Sequence, residues 1–175
     1  MTRVTDKAAA ADEIKLRRGL SEGLADDALL YGSVVVEVFG PDGELKDSRE
    51  VRNLIVSAGR DAIMERLDSS PTTAPPSHMA VGTGAVAPAA GNTTLGAEIA
   101  TTGRQALSSS TSSAGVLTMV ANWAAGQATN AAITEAGVLN AASAGTLYSR
   151  ATFAAISKAA ADTLQITWTY TLTPT

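Results

Sequence analysis

Apolar and polar residues alternate strictly near the C-terminal end of the chain. Over residues 163–172, apolar side chains occupy every second position, and threonine or glutamine occupies the positions between them. The apolar residues are Leu164, Ile166, Trp168, Tyr170 and Leu172. Because successive side chains of a strand point to opposite faces, this pattern predicts a half-buried antiparallel strand whose apolar face lies in the core.

Shorter segments with β-branched or alternating residues precede this strand, and turns rich in Gly, Asn and Ser separate them. They are residues 33–39, 44–54, 78–81, 116–123, 132–139 and 147–153. Asp42-Gly43, between the first two, is a typical hairpin turn. Several strands of this length with such turns are typical of an antiparallel β-sandwich, which we predict for residues 32–175.

One internal segment has a helical pattern instead. Residues 57–67 follow the second strand, with Ser57 as the expected N-cap and with Ile63 and Leu67 expected to face inward. Three prolines in the next nine residues prevent the helix from continuing. The prediction for the domain is therefore mainly β, with one short internal helix.

The N-terminal segment has an apolar stripe. Leu16, Leu20, Leu24 and Ala28 recur at every fourth position, which favours a helical arm over residues 1–31. Two glycines interrupt the stripe, and an isolated amphipathic segment of this size is marginal in water, so the arm must dock on its own domain or on a partner. We take the second alternative as the working hypothesis. Its candidate partner-binding residues are Leu16, Leu20, Leu24, Arg17 and Arg18.

The composition excludes several kinds of chemistry. The 175 residues include no cysteine and one histidine, and the net charge is −4. Without cysteine there is no disulfide, no thiolate nucleophile and no cysteine-ligated zinc or iron–sulfur site. A weakly acidic chain is also a poor general binder of nucleic acid, so we expect no nucleic-acid partner.

The charges are unevenly distributed. Residues 1–68 contain 24 of the 30 charged side chains, and residues 69–175 contain six. The six are Arg104, Arg150, Lys158, Glu98, Glu135 and Asp162. Glu98 with Arg104, and Glu135 with Arg150, are expected to be structural ion pairs or turn anchors. The rest of this region is polar but uncharged, which suits either a protein-binding surface that buries no charge or a β-domain with threonine-rich exposed faces.

Two motifs resemble catalytic or nucleotide-binding sequences but lack the required context. Residues 82–87, Gly-Thr-Gly-Ala-Val-Ala, match a dinucleotide fingerprint, but a proline and a glycine follow where a helix is needed, so we predict a tight turn. His78 has Ser77 beside it, but neighbouring side chains on a strand point to opposite faces. We therefore expect no catalytic residue, no metal site and no cofactor, and we predict that the protein is not an enzyme.

Neither a membrane segment nor a signal peptide is expected. The longest uncharged stretch, residues 105–134, is broken by many Ser, Thr, Asn and Gln side chains, which a bilayer core would not accommodate. The N-terminus has acidic residues and no apolar core region. We expect no membrane partner and synthesis in the cytoplasm.

Several phrases of the sequence are shared with one family. They are Asn-Leu-Ile and then Ala-Gly before a short helix (53–67), a strand ending in Gly-Thr-Gly (79–84), Thr-x-Leu-x-x-Glu (93–98), Ile-Thr-Glu-Ala-Gly-Val (133–138), Arg-Ala-Thr-Phe (150–153) and Asp-Thr-Leu-x-Ile-Thr-Trp-Thr (162–169). Over residues 51–173 the chain resembles the structural proteins of tailed-bacteriophage virions, which are labelled capsid decoration, minor capsid or tail fibre proteins.

The resemblance implies a non-enzymatic virion protein, made in the cytoplasm of the host bacterium. The chain is short and lacks the repeats of a fibre shaft, so we favour a capsid decoration or minor capsid protein that stabilises the assembled shell. Its partners would be the major capsid protein or other virion proteins, and a homo-oligomer, most simply a trimer, is expected. A tail fibre or tail-tip adaptor is the alternative, and a carbohydrate-binding module of the virion is the third candidate.

Overall fold

A computed structural model describes residues 28–174 of the chain and the side chains of residues 30–173. This part of the chain contains nine strands, one α-helix and a 3₁₀ turn. They are β1 (Ala28–Phe39), β2 (Leu45–Arg52), β3 (Leu54–Ile55), α1 (Ser57–Met64), the 3₁₀ turn (Glu65–Leu67), β4 (His78–Gly82), β5 (Arg104–Ser113), β6 (Val116–Trp123), β7 (Asn130–Leu139), β8 (Leu147–Lys158) and β9 (Thr163–Pro174). The prediction of a mainly β, antiparallel fold with one short internal helix is confirmed.

The strands form one sheet in the order β2-β1-β9-β6-β5-β4-β7-β8-β3. Strand β5 joins the two halves of this sheet, because its first residues pair with β4 and the remainder pairs with β6. The register shifts between Leu107 and Ser109. Such a bulge bends a strand and increases its twist, which allows β5 to turn from one half of the sheet into the other.

The sheet curls until it is nearly a closed barrel, and a side chain bridges the remaining seam. Arg49 on β2 donates from Nε to the carbonyl oxygen of Ala154 on β8 at 3.2 Å and from Nη2 to that of Ala155 at 2.9 Å. Asp47 holds the same guanidinium through its Oδ2, 3.0 Å from Nη2. Arg49 thus links β2 to β8 across the seam through two backbone carbonyl groups of β8.

One apolar core fills the interior. Trp168 on β9 lies opposite Met119 on β6, and both are fully buried. Inward side chains from the other half of the sheet complete the core, including Met79, Val81, Ile133 and Ile156. Residues 116–123 and 163–170 therefore alternate because one face of each strand packs against this core.

The prediction of a helical N-terminal arm is wrong for the last residues of the arm. Residues 28–31 were expected to be helical, but they begin β1. The strand continues into the β-branched run of residues 34–36, and pairing within the sheet outweighs the helical preference of Ala28 and Leu30. The rest of the arm, with its candidate residues Leu16, Arg17, Arg18, Leu20 and Leu24, lies outside the described residues.

The internal helix lies where the sequence predicts it, but its N-cap and the environment of Leu67 differ from the prediction. Ser57 is the first helical residue and not the N-cap, which is Val56. Ile63 packs against the core as expected. Leu67 does not, because the chain has left the α-helix there, and its side chain is 82% exposed. Leu172, near the end of β9, was also expected in the core but is 50% exposed.

The sequence did not predict β5. Its last six residues are serine or threonine, and they carry no apolar alternation because most of them are exposed. The strand exists because β6 and β4 provide ladder partners on both sides. Within the part of the chain that the structure describes, no helix is long and apolar enough to cross a membrane.

Candidate functional site

Over residues 108–113, 116–122 and 165–171, strands β5, β6 and β9 present an outer face without a charged side chain. Their register aligns outward residues in rows: Ser113, Val116 and Thr171; Thr111, Thr118 and Thr169; Ser109, Val120 and Thr167; Ser108, Asn122 and Gln165. We call these twelve residues the uncharged face. All of them are exposed or half-exposed, and on the opposite side of the same strands Met119 and Trp168 face the core.

Side-chain hydrogen bonds fix one end of the uncharged face. Asn122 donates from Nδ2 to Ser108 Oγ at 2.9 Å, and Gln165 donates from Nε2 to Asn122 Oδ1, also at 2.9 Å. Ser108 in turn donates to the carbonyl oxygen of Val120 at 3.1 Å. This chain of bonds orders polar side chains across three strands, so less conformational freedom is lost when a partner covers them.

None of the six charged residues of 69–175 lies on this face, because each is engaged in an ion pair or in hydrogen bonds elsewhere in the protein. Glu98 pairs with Arg104, whose Nη2 lies 2.7 Å from the carboxylate. Asp162 accepts hydrogen bonds from Lys46 Nζ at 2.8 and 2.9 Å. Lys158 is buried and donates to the carbonyl oxygens of Ala124 and Asp162, at 3.1 and 2.7 Å.

The remaining two charges form a buried ion pair on the other half of the sheet. Arg150 on β8 donates from Nε to Glu135 Oε2 on β7 at 2.8 Å. The backbone N–H groups of Gly84, Gly96 and Ala97 also donate to this carboxylate, at 2.9, 2.9 and 2.6 Å. The expectation that Glu98–Arg104 and Glu135–Arg150 are structural ion pairs is thus confirmed.

Backbone donors decide the protonation of Glu135. Burial would by itself raise its pKa, but hydrogen bonds from Ala97, Gly96, Arg150 and Gly84 outweigh this effect and hold the pKa below its usual value. An ionised carboxylate with all these donors has no free position for a proton, a substrate or a metal ion. Its role is to fasten the loop of residues 83–103 over the sheet.

Most of the phrases that carry the family resemblance converge on this loop and the strands beneath it. Gly84 and Gly96 lie so close to the Glu135–Arg150 pair that a Cβ on either would overlap it. Leu95 joins a second apolar cluster on the outer side of the sheet, with Val56, Ala80, Leu139 and Leu147. Gly82 ends β4 and no helix follows it, but Thr83 and Gly84 are irregular backbone and do not form the predicted tight turn. The sequence phrases shared with the family therefore supply residues that hold the loop of residues 83–103 against the sheet.

An apolar groove lies at one end of the curled sheet, beside the β5–β6 hairpin. It measures about 610 Å³, and we call it the end groove. Its walls are mainly apolar side chains: Leu30, Ile63, Leu67, Leu117, Tyr170 and Leu172. Arg66 lies at its edge, and Ser113 and Val116 belong both to this groove and to the uncharged face. The groove and the uncharged face are therefore continuous.

The one histidine has an unexpected neighbour. Ser77 Oγ lies 2.8 Å from His78 Nδ1, although the sequence analysis placed them on opposite faces. The two side chains meet although Ser77 directly precedes β4 and its backbone hydrogen-bonds to Leu139 on β7 and to Leu107 on β5. Partial burial, aided by the positive charge of Arg104, lowers the pKa of His78. No acidic side chain hydrogen-bonds to His78 among the described residues, so the pair lacks the third group of a catalytic triad.

Both tryptophans of the chain are fully buried, and Trp123 Nε1 donates to the carbonyl oxygen of Gly103 at 3.1 Å. Neither offers an aromatic platform to a sugar. Within residues 28–174, no three His, Asp or Glu side chains are grouped closely enough to hold a metal ion. Comparison with protein-family models, with curated proteins and with solved structures finds no match for this chain.

Proposed function

We propose that this chain is a non-enzymatic structural protein of a tailed-bacteriophage particle and that it binds the assembled capsid shell through the uncharged face. The observation that carries the proposal is the face itself: twelve uncharged residues on three paired strands, whose opposite side packs against the core. Covering such a surface requires no desolvation of charge, which is the main cost of burying polar surface against a partner.

The size of the face favours a repetitive partner. Three strands about 4.8 Å apart and four rows about 7 Å apart cover roughly 14 by 28 Å, or about 390 Å². Stable one-to-one complexes bury about 800 Å² on each partner, so one copy held by this face alone would bind weakly. Binding becomes strong when linked copies engage neighbouring sites together, as a trimer does on a symmetric shell.

The N-terminal segment is part of the proposal. Leu16, Leu20 and Leu24, flanked by Arg17 and Arg18, form the predicted anchor to a virion partner. Deleting residues 1–27 removes this stripe and ends before β1. We expect incorporation into particles to fall sharply. The unfolding midpoint, measured in parallel, separates the loss of an anchor from the loss of the fold.

The two-layer sandwich predicted from the sequence also remains a proposal. Strands β2-β1-β9-β6-β5 would form one layer, β5-β4-β7-β8-β3 the other, with β5 shared at the bend. In this arrangement the uncharged face is the outer surface of the first layer. The loop of residues 83–103 covers the second layer, which leaves the first one for docking.

A charge placed on the uncharged face tests the proposal. Thr111→Glu and Thr111→Lys change an exposed residue in the second row of the face, and Ser157→Glu makes the same change on β8. Co-sedimentation with assembled shells of the source phage should show at least about tenfold weaker binding for both Thr111 variants, or about 1.4 kcal/mol. Ser157→Glu should bind like the unmodified protein.

Three results would contradict this proposal. Equal binding by all variants would exclude the uncharged face as the contact. Binding to purified tails but not to shells would favour the tail-fibre or tail-tip adaptor. A cryo-EM map of the particle without density for this chain would exclude a virion protein altogether.

A further inference from the structure

The end groove exposes more apolar surface than the fold requires. Leu67 is 82% exposed and Leu172 50%, and both line the groove. Large apolar patches open to water are uncommon on monomeric proteins and mark surfaces that bind another molecule. The groove volume of about 610 Å³ lies within the range of roughly 300–1,000 Å³ that is typical of ligand-binding pockets.

The groove is the open end of the barrel interior. Leu117 and Tyr170 lie opposite each other on β6 and β9 and point to the same side as the core residues Met119 and Trp168. Beyond them the strands continue, and among the described residues Leu30, Ser112 and Leu172 line the space without closing it. Because strands rather than flexible loops form much of its wall, the groove is preformed.

The polar groups at the groove define what it accepts. The hydroxyl of Tyr148 donates to the carbonyl oxygen of Ala74 at 2.8 Å, and that of Tyr170 is hydrogen-bonded to Ser149 Oγ. Both tyrosines therefore turn their hydroxyls away to internal partners and leave apolar ring surface to the groove.

One charge stands at the edge. Arg66 is exposed and forms no ion pair with another described residue, and it is the charged side chain in the groove lining. Its neighbour Glu65 is already engaged, since its carboxylate accepts hydrogen bonds from Thr72 Oγ1 at 3.0 Å and from the backbone N–H of Thr73 at 2.9 Å. The groove thus combines apolar walls with a positively charged rim.

We propose that the end groove binds an apolar segment of the capsid shell protein that carries an Asp or Glu carboxylate beside its apolar side chains. The apolar side chains would cover Leu67, Leu117 and Leu172, and the carboxylate would pair with Arg66. Because the groove shares Ser113 and Val116 with the uncharged face, the same partner covers both. This inference rests on the proposed function and names the partner chemistry of its site.

Matched variants of the helix and its 3₁₀ turn test the groove. Leu67→Ser and Met64→Ser each remove an exposed apolar side chain, but Leu67 lines the groove and Met64 does not. Arg66→Glu and Arg60→Glu reverse exposed charges in the same way. In co-sedimentation of the full chain with assembled shells, we expect Leu67→Ser and Arg66→Glu to lower affinity at least tenfold. Met64→Ser and Arg60→Glu should bind like the unmodified protein.

The outcomes separate the groove from the proposed function. If the unmodified protein binds shells and all four variants bind equally well, the groove proposal is wrong and the proposed function stands. If the unmodified protein does not bind shells, both fail. If Leu67→Ser breaks an oligomer in sedimentation velocity while shell binding is unchanged, a second copy occupies the groove and the proposal is overturned. Arg66→Lys should retain binding, because it keeps the positive charge.

Discussion

Glu135 and Arg150 form an ion pair that lies on the outer side of the sheet and is nevertheless buried: Glu135 is 0% exposed and Arg150 2%. The loop of residues 83–103 covers the pair, and three of its backbone N–H groups bind the same carboxylate. A buried charge of this kind is tolerated because its partners satisfy it, and removing one partner leaves the other uncompensated.

The first prediction concerns this pair. Glu135→Gln should destabilise the protein by about 3–5 kcal/mol, because it leaves Arg150 buried without a counter-charge. Glu98→Gln is the control, since the Glu98–Arg104 pair is partly exposed and such pairs contribute about 1 kcal/mol or less. Urea unfolding measures both. Equal losses for the two variants would show that burial of the pair is unimportant.

The second prediction concerns pH. The pKa of Glu135 is lowered in the folded protein from its ordinary value of 4.5. Ionised Glu135 therefore stabilises the fold above that value, and the stabilisation is lost as the pH falls through the lower, folded-state pKa. We expect the unfolding free energy of Glu135→Gln to fall less steeply below about pH 4.5 than that of the unmodified protein. Parallel curves would contradict the assignment.

The third prediction concerns the glycine beside the carboxylate. A Cβ at Gly84 would overlap Glu135 Oε1, so Gly84→Ala should displace the loop and cost about 1–3 kcal/mol. Gly91 lies in the same loop, and a Cβ there would meet no other atom within 4 Å. Gly91→Ala is therefore the control and should change the unfolding midpoint little. If Gly84→Ala leaves the unfolding midpoint unchanged, the loop accommodates the added methyl group and keeps its hydrogen bonds to Glu135.

The fourth prediction concerns the core. Trp168 is fully buried opposite Met119, so Trp168→Ala should cost about 3–5 kcal/mol. Trp168→Phe should cost less, since the indole Nε1 has no hydrogen-bond partner to lose. In a Trp123→Phe background, the fluorescence maximum of Trp168 should be blue-shifted. A solvent-like maximum would contradict its position in the core.

The sequence by itself determined the elements whose environment differs between their two faces. β6 and β9 alternate because one face meets the core and the other water, so residues 116–123 and 163–172 could be placed as strands. The hairpin turn at Asp42-Gly43 and the helix near 57–67 follow from local backbone preferences. The ion pairs Glu98–Arg104 and Glu135–Arg150 were predictable because so few charges occur in that region.

Tertiary structure alone decided the rest. The serine-rich run of β5 is a strand because β6, the next strand in the chain, pairs with it, and because the first residues of β5 pair with the more distant β4. Leu67 and Leu172 satisfy an inward pattern but are exposed, because they lie at the end of the curled sheet, where the core does not cover them. The periodicity of a segment shows which of its residues share a face. Whether that face is buried depends on other segments, distant in sequence, that pack against it. The uncharged face and the end groove arise at this second level, since each is assembled from separate strands whose register no single segment encodes.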